Sequence, residues 1–287
     1  MRKSLTFALA AAALVAAASP LDAQTWRTLT SSRQRHGETA LTVDVTYAVG
    51  EFRLSAAPEG TLYRMELRYD EDRFTPLRAY DPDEQRLVLG VRGPSRGGDL
   101  GTTRGEPSPS LDIQLAPNIP LALNLDLGAV RSQVDLGGLT LRSVRYRTGA
   151  SGTDLRISRP NPGTCDEFRI EAGAASLRAW QLGNANCRSV SFEGGVGDVT
   201  LDFSGAWREE MEADLTVTLG TITLVLPRDA GVAVRMSRFL ASFARTGFVK
   251  RGEIYYSEGY EAASRRLTLD IHATFGGVDV VWTGAGR

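Results

Sequence analysis

The sequence predicts an all-β protein, a single-stranded β-solenoid of stacked rungs of about 22 residues, with capping strands at both ends. Three observations support this prediction. A glycine-rich corner phrase recurs at a nearly constant spacing, and its clearest copy is EGGVGDVTLDFSGAW at residues 193–207. Apolar and polar residues alternate on both sides of each corner, which is typical of half-buried β-strands. Short polar turns with Gly, Asn or Pro separate the copies.

The first 23 residues have the composition of a cleaved signal peptide. Arg2 and Lys3 form a basic start, residues 5–18 are apolar and rich in alanine, and Ala23 is a small residue at the expected cleavage site. The apolar run is too short and too poor in large side chains to predict a membrane span. We therefore expect an exported protein, located in the periplasm or at the cell surface.

The next segments predict an N-terminal unit and a loop. Residues 24–40 lack periodicity and are expected to form a flexible lead-in. Residues 41–91 contain alternating runs and are expected to form a capping β unit. Residues 92–110 are dense in Gly, Pro and Ser, which is typical either of a linker between two domains or of a long loop within one stack.

Residues 111–230 form the predicted repeat body. Two strands of about five residues and a turn cannot bury their apolar face alone, so we expect equivalent strands of successive copies to pair edge to edge. Val199 is then expected to lie between Leu177 and Ile222. The aligned corners are 21, 24, 22 and 23 residues apart and fall at Gly128, Gly149, Gly173, Gly195 and Thr218.

Residues 231–287 predict irregular strands and a cap. Residues 232–236 and 267–271 alternate, and the segment between them is rich in aromatic side chains. We expect this segment to cover the open end of the stack, because an uncovered end would pair with other molecules. A large apolar patch between Phe239 and Tyr260 would indicate a protein partner or a dimer.

Cys165 and Cys187 are the only cysteines, and each lies three residues before an equivalent apolar position in consecutive copies. Stacked strands are about 4.8 Å apart, within reach of a disulfide, and export provides an oxidising compartment. We therefore predict a disulfide, with two buried free thiols as the alternative. A metal pair is not expected, because neither His36 nor His272 lies near the cysteines in the repeat.

Outward-facing residues of the stacked copies are expected to form columns. One column contains Asp126, Arg147 and Glu171, whose alternating charges should help to fix the register. A second column places Arg156 beside Trp180, a pair suited to stacking on a sugar or on a partner's side chain. A plain contact between these two side chains, or Trp180 folded over a corner, is the alternative.

Composition and motifs exclude several classes of function. The 33 Lys and Arg residues nearly balance the 34 Asp and Glu residues, so no strong field favours nucleic acid. The sequence contains no Gly-x-Ser-x-Gly elbow, no phosphate loop and no cluster of metal-ligating residues. We therefore expect no catalytic residues, no metal site and no cofactor, and we predict a protein that is not an enzyme.

Five phrases resemble the toast-rack family of bacterial exported proteins, with its relatives among adhesin-like solenoids and the C-terminal domains of cell-wall-antibiotic-response proteins. The phrases are VDVTYAVGEFRL (43–54), LALNLDLGAVRSQVDLGGL (121–139), TGASGTDLRI (148–157), GGVGDVTLDFSG (194–205) and ATFGGVDV (273–280). The resemblance spans residues 41–283 and implies a β-solenoid. It supplies no catalytic residues and implies adhesion or envelope-stress sensing. Several relatives carry membrane helices, whereas this sequence predicts only a signal peptide.

Together these observations predict a non-enzymatic β-solenoid that serves as a structural or adhesin-like binding module of the bacterial envelope. Its partner would be a protein or a glycan of the envelope, bound across a flat face. There are two alternatives: an envelope-stress sensor or regulatory partner of a membrane protein, and a carbohydrate-active enzyme on the same scaffold. An exposed aromatic–arginine stripe would favour glycan binding, and a cleft with converging carboxylates would favour the enzyme.

Overall fold

The computed structural model describes residues 25–93, 108–207 and 210–284. The predicted signal peptide and most of the predicted loop at residues 92–110 lie outside the described residues. Within these ranges fifteen strands form one sheet, and helical structure consists of two 3₁₀ turns, Leu182–Ala185 and Tyr260–Ala262. A search of the described residues finds no helix with the length and apolar character needed to span a membrane.

The strands divide into eight long ones and seven shorter ones. In chain order they are β1 (Trp26–Gln34), β2 (Leu41–Ala56), β3 (Thr61–Asp70), β4 (Thr75–Asp81), β5 (Arg86–Arg92), β6 (Ser110–Leu115), β7 (Pro120–Asp135), β8 (Thr140–Arg156), β9 (Cys165–Trp180), β10 (Cys187–Asp202), β11 (Met211–Pro227), β12 (Gly231–Phe243), β13 (Phe248–Arg251), β14 (Ile254–Ser257) and β15 (Arg266–Thr283). The long strands are β2, β7 to β12 and β15.

The eight long strands stack in parallel and in register, in the order β2, β7, β8, β9, β10, β11, β15, β12. Val199 lies between Leu177 of β9 and Ile222 of β11, as predicted. The five corners that the sequence aligns occupy one column across β7 to β11. The prediction of an all-β solenoid is therefore confirmed. Each copy contributes one continuous bent strand, where the sequence analysis expects two short strands.

The bend gives each long strand a first arm before the corner and a second arm after it. In β8 the hydroxyls of Tyr146 and Thr153 are 2.8 Å apart, although seven residues of straight strand would separate them by about 23 Å. In β10 and β11 the corner passes through Gly197 and Gly220, which have φ of 143° and 138°. Residues with a Cβ resist this conformation, and a methyl group on Gly220 would collide with the carbonyl oxygen of Gly197.

The core lies between the two arms. In β10 the buried side chains are Val190 and Phe192 on the first arm and Val199 and Leu201 on the second, and the residues between them are more exposed. Each of the eight long strands contributes buried apolar side chains to one hydrophobic cluster. Because burial of each such side chain contributes about 1.5–3 kcal/mol, stacking gives the single bent strand the stability that it lacks alone.

Both ends of the stack carry additional strands. At the β2 end, β5 and then β4 cover the first arm, whereas β6, β3 and β1 extend from the second arm. At the β12 end, the hairpin of β13 and β14 pairs with the first arm only. Phe243 on the second arm contacts Phe248 and Tyr255 of this hairpin, so the hairpin also covers the core.

Three segments differ from the sequence expectation. The predicted flexible lead-in, residues 24–40, contains β1, which pairs antiparallel with β3. β6, expected within the repeat body, pairs with β2 and β3 instead. β15 inserts between β11 and β12, so the last strand of the chain is a rung and β12 lies outside it. Mostly exposed edge strands such as β1 lack the apolar alternation that predicts a strand.

Side chains at the turns also tie successive rungs together. Cys165 and Cys187 are register partners in β9 and β10 and form the predicted disulfide, with Cα atoms 4.0 Å apart. The buried Asn161 donates hydrogen bonds to the carbonyls of Leu141 and Ala185 at 2.9 and 2.8 Å and accepts one from the Leu141 amide. Its amide group therefore connects three consecutive levels of the stack.

Candidate binding surfaces

The corners of the eight long strands form an uncharged surface that we call the corner strip. Each strand contributes three consecutive residues, which the register places side by side. From one end of the stack to the other these are residues 48–50, 128–130, 149–151, 173–175, 195–197, 218–220, 274–276 and 239–241. All are Gly, Ala, Val, Leu, Phe, Ser or Thr, although 23% of the chain is charged. At about 4.8 Å per strand the strip is roughly 34 Å long.

From β7 onward the middle residue of each triplet points outward, and it is larger in β10, β11, β15 and β12 than in β7 to β9. It is alanine in β7, β8 and β9 and becomes Val196, Leu219, Phe275 and Leu240 in the following strands. Leu219 is 48% exposed, Phe275 42% and Leu240 65%. Phe239, next to Leu240, is 74% exposed and packs edge to face against Phe275 with ring centroids 6.1 Å apart. Exposed large apolar side chains that adjoin one another indicate an interaction site.

The margins of the corner strip divide it into two halves. Beside β7 to β10 the next outward residues include charged side chains such as Asp126, Arg131, Glu193 and Asp198. Beside β11, β15 and β12 the equivalent positions hold Thr, Gly, Ser and His272. Leu219, Phe275 and Leu240 therefore lie on the half of the strip whose equivalent positions are uncharged. Arg238, directly before Phe239, is an exposed charged residue beside this half.

The charged column predicted from Asp126, Arg147 and Glu171 is present on the first arms. The Arg147 guanidinium lies 3.9 Å from the Asp126 carboxylate and 3.0 Å from that of Glu171. Arg169 continues the network to Glu171 at 2.6 Å and to Glu193 at 2.7 Å. Hydrogen bonds from Arg169 and Arg147 hold the pKa of the Glu171 carboxyl below its usual value. These charged side chains are paired with one another and help to fix the register of the strands.

The structure places the predicted binding pair, Arg156 and Trp180, side by side on the second arms of β8 and β9. Trp180 is half-buried and Arg156 is exposed. The neighbouring Asp202 is buried and accepts hydrogen bonds from the backbone amides of Gln181 and Ser204. Asp202 is thus a turn-forming residue.

A shallow polar groove of about 410 Å³ adjoins Arg156 on the second-arm face. Asp112, Asp135 and Asp154 line it together with Arg53 and Arg156. Asp135 accepts hydrogen bonds from the amides of Gly137 and Ser158, so it is part of a turn. Burial raises the pKa of the Asp112 carboxyl. The groove offers polar and charged groups without an enclosed cleft.

A larger cavity of about 720 Å³ lies where the second arms of β10, β11 and β15 end. Its aromatic wall is Trp282, whose ring contacts Phe248 at 5.1 Å and the Arg228 guanidinium at 5.8 Å. Its Arg265 forms an ion pair with Asp229. The aromatic and charged groups that could recognise a ligand here, such as Trp282 and Arg265, are therefore already in contact with other side chains of the protein.

No group of three or more His, Cys, Asp or Glu side chains in the described part of the chain could hold a metal ion. His36 lies in the loop between β1 and β2, and His272 lies in β15, far from it in the order of the sheet.

The corner strip is a surface that the sequence pattern does not predict. Val196 and Leu219 each follow an aligned corner residue by one position, and this common offset is the signal that could have identified them. Phe275 and Leu240 join the same column only because β15 lies between β11 and β12. That order does not follow from the repeat spacing.

Two family models together match nearly all of the chain after its first 21 residues. Residues 22–179 match the N-terminal domain of toast_rack. Residues 177–280 match the C-terminal region of LiaF, a cell wall-active antibiotics response protein. The two matches meet within β9, a continuous strand that pairs along both edges. A search of curated proteins finds no significant match.

Several solved structures are similar to this chain. A "putative cell adhesion protein" from Clostridium sporogenes is 18% identical, with 90% of this chain and 100% of that chain covered and a TM-score of 0.46. A "putative adhesin" from Bacteroides fragilis is 11% identical, with 89% and 97% covered and a TM-score of 0.40. A "putative adhesin" from Parabacteroides merdae is 9% identical, with 89% and 96% covered and a TM-score of 0.34.

The repeat spacing, the bent parallel strands and the family match therefore agree. Because the match to the toast_rack N-terminal domain spans more than half of the sequence, the chain belongs to the toast-rack family.

Proposed function

We propose that the protein is an exported, non-enzymatic β-solenoid that serves as a structural or adhesin-like binding module of the bacterial envelope. The observation that carries this proposal is the corner strip, which crosses all eight long strands without a charged side chain. A stack of hydrogen-bonded strands holds such a surface rigid, so binding to a flat partner requires little ordering of the protein. Affinity would then be distributed along the strip.

The disulfide and the signal-like N-terminus support an extracytoplasmic location. Disulfides persist in the periplasm and outside the cell and are rare in the reducing cytoplasm. Cys165 and Cys187 are both buried, and they join two adjacent rungs. We further propose that the strands beyond β2 and beyond β12 act as end caps of the solenoid.

Binding to isolated envelope fragments tests the proposal. Purified protein is mixed with the fragments, and the co-sedimenting fraction is measured against protein concentration. We expect Leu219→Asp/Phe275→Asp to weaken binding at least ten-fold, because two buried carboxylates would face an apolar contact. Both side chains are about half exposed, so the variant should fold, and retention of its thermal midpoint and disulfide would show this.

The matched comparison is Arg156→Ala/Trp180→Ala on the second-arm face. Retained binding in this variant supports the corner strip. Loss of binding in this variant alone would place the site on the second arms and favour a glycan, which a glycan array would identify. Failure of the unsubstituted protein to bind any envelope fraction would overturn the binding function.

A second candidate is a regulatory partner of a membrane protein in envelope-stress sensing. The match of residues 177–280 to the antibiotics-response model favours it, because that segment contains the large apolar side chains of the corner strip. Protease treatment of the envelope fragments distinguishes the two candidates. A membrane-protein partner predicts that binding disappears after digestion, whereas binding to an envelope glycan would survive it.

A further inference from the structure

The sheet ends at β1 and β4 on one side and at β13 and the part of β12 beyond Arg235 on the other. β14 pairs with residues Ala233 to Arg235 of β12, and in the described residues no strand pairs with the outer edge of β12 beyond Arg235. An unpaired edge presents backbone N–H and C=O groups that can add another strand. Proteins usually protect such edges with charged residues or proline.

Three of these edges carry such protection. The strands β1, β4 and β13 each contain charged side chains, and β4 also contains a proline. These residues are Arg27, Arg33, Pro76, Arg78, Asp81, Lys250 and Arg251. From its corner onward β12 differs from all three, since residues 239–244 read Phe-Leu-Ala-Ser-Phe-Ala and contain no charge, no glycine and no proline. Arg238 is the charged residue that precedes this stretch on the unpaired edge. The composition of residues 239–244 is typical of segments that pair with another strand.

This edge also lies at the end of the corner strip that carries the large apolar side chains. Phe239 and Leu240 are the most exposed large apolar side chains in the described chain, at 74% and 65%. Arg238, the adjacent charged residue, donates a hydrogen bond to the carbonyl of Ala241 at 3.1 Å. A strand added here would therefore continue both the sheet and the strip.

We propose that a second copy of this chain binds this edge, with the two β12 strands antiparallel about a two-fold axis at Leu240. In this register Phe239 lies opposite Ala241 of the second copy, so a large side chain meets a small one. Arg238 lies opposite Ser242, and no like charges meet. The two corner strips then join end to end. A partner of different sequence would bind this edge without a two-fold axis at Leu240.

The contact is small, so the dimer should be weak. Seven paired residues on each side bury less area than a standard protein interface, and we expect a dissociation constant on the order of 10 µM or weaker. The proposal is independent of the envelope-binding function, because the purified protein alone should dimerise.

Sedimentation velocity across a concentration series tests the proposal. We expect a reversible shift from monomer to dimer in the unsubstituted protein and at least a ten-fold weaker association for Leu240→Lys, which places two ammonium groups face to face. The matched control is Val249→Lys on the charged edge strand β13, where the residue is 52% exposed, and it should dimerise normally. Leu240→Cys should form an intermolecular disulfide on oxidation, whereas Val249→Cys should not.

Two results would overturn the proposal. One is a monomer at every concentration, which would leave this edge to a partner of another kind. The other is equal dimerisation of Leu240→Lys and the unsubstituted protein. Envelope binding by a strictly monomeric protein would separate the failure of this proposal from that of the proposed function.

Discussion

Single side chains help to hold neighbouring strands in register, because the backbone hydrogen bonds alone are the same in every register. Glu171 in β9 accepts hydrogen bonds from Arg147 in β8 and from Arg169 in its own strand. Arg169 in turn contacts Glu193 in β10. One carboxylate therefore takes part in a network across three strands. Slippage of any of these strands by one residue would place the partners on opposite faces.

This network predicts a pH-dependent effect of Glu171→Gln. The pKa of the Glu171 carboxyl is lowered in the folded protein, so its contribution to stability is present above the unfolded-state pKa and is lost as the pH falls through the folded-state value. We expect the substitution to cost about 1 kcal/mol at pH 7 and progressively less as the pH falls below about 4. Urea unfolding of both proteins at pH 7 and at about pH 3 measures the difference in the free energy of unfolding.

The control for this prediction is Glu212→Gln, which removes an exposed carboxylate on β11. It should leave the free energy of unfolding nearly unchanged at pH 7. An effect of Glu171→Gln that is as large at pH 3 as at pH 7 would show that the ion pairs are not its cause.

At the scale of the single strand, the glycine corner decides whether a rung can bend and still stack. Gly220 has a φ of 138°, and its Cα faces the carbonyl oxygen of Gly197 in the strand below. We expect Gly220→Ala to destabilise the protein by about 2–4 kcal/mol, because it adds both backbone strain and a collision with a backbone atom. Denaturant unfolding at neutral pH measures this loss.

Gly152 in β8 is the matched control, since a methyl group there meets no atom within 4 Å and its φ is not positive. Gly152→Ala should change stability by less than about 1 kcal/mol, in the stabilising direction if at all. Equal losses for the two substitutions would mean that the corner geometry is not what requires glycine.

The same strands show which parts of the fold follow from sequence. Alternation of side chains and the spacing of the corners predict the register of β7 to β11, down to the partners of Val199 and the disulfide. The pattern does not predict β1, because an exposed edge strand needs no apolar face. It does not predict the insertion of β15 beside β11 either, because pairing at a distance leaves no periodic signal in the chain.

The candidate site follows a similar division. Arg156 and Trp180 are adjacent, as their spacing predicts. The corner strip needs the structure, since its largest members come from strands whose order in the sheet differs from their order in the chain. An exposed apolar residue is unremarkable alone, and only its alignment with others creates a surface.

At the scale of the whole molecule, one sheet connects every strand from β1 to β15. The two family matches meet inside β9, and the hydrophobic cluster continues through that strand. The corner strip is a property of this continuous stack. It continues through Leu219, Phe275 and Leu240 because β15 lies between β11 and β12 and is in register with both.

A double-cysteine cross-link tests this arrangement most directly. Thr223 and Asp279 are register partners in β11 and β15, as Cys165 and Cys187 are in β9 and β10. Oxidation of Thr223→Cys/Asp279→Cys should therefore give an additional intramolecular disulfide, detected by mass spectrometry of proteolytic fragments. Thr223→Cys/Ala244→Cys, which pairs β11 with the end of β12, should give none. A cross-link to position 244 and none to position 279 would contradict the stacking order and the order of side chains along the corner strip.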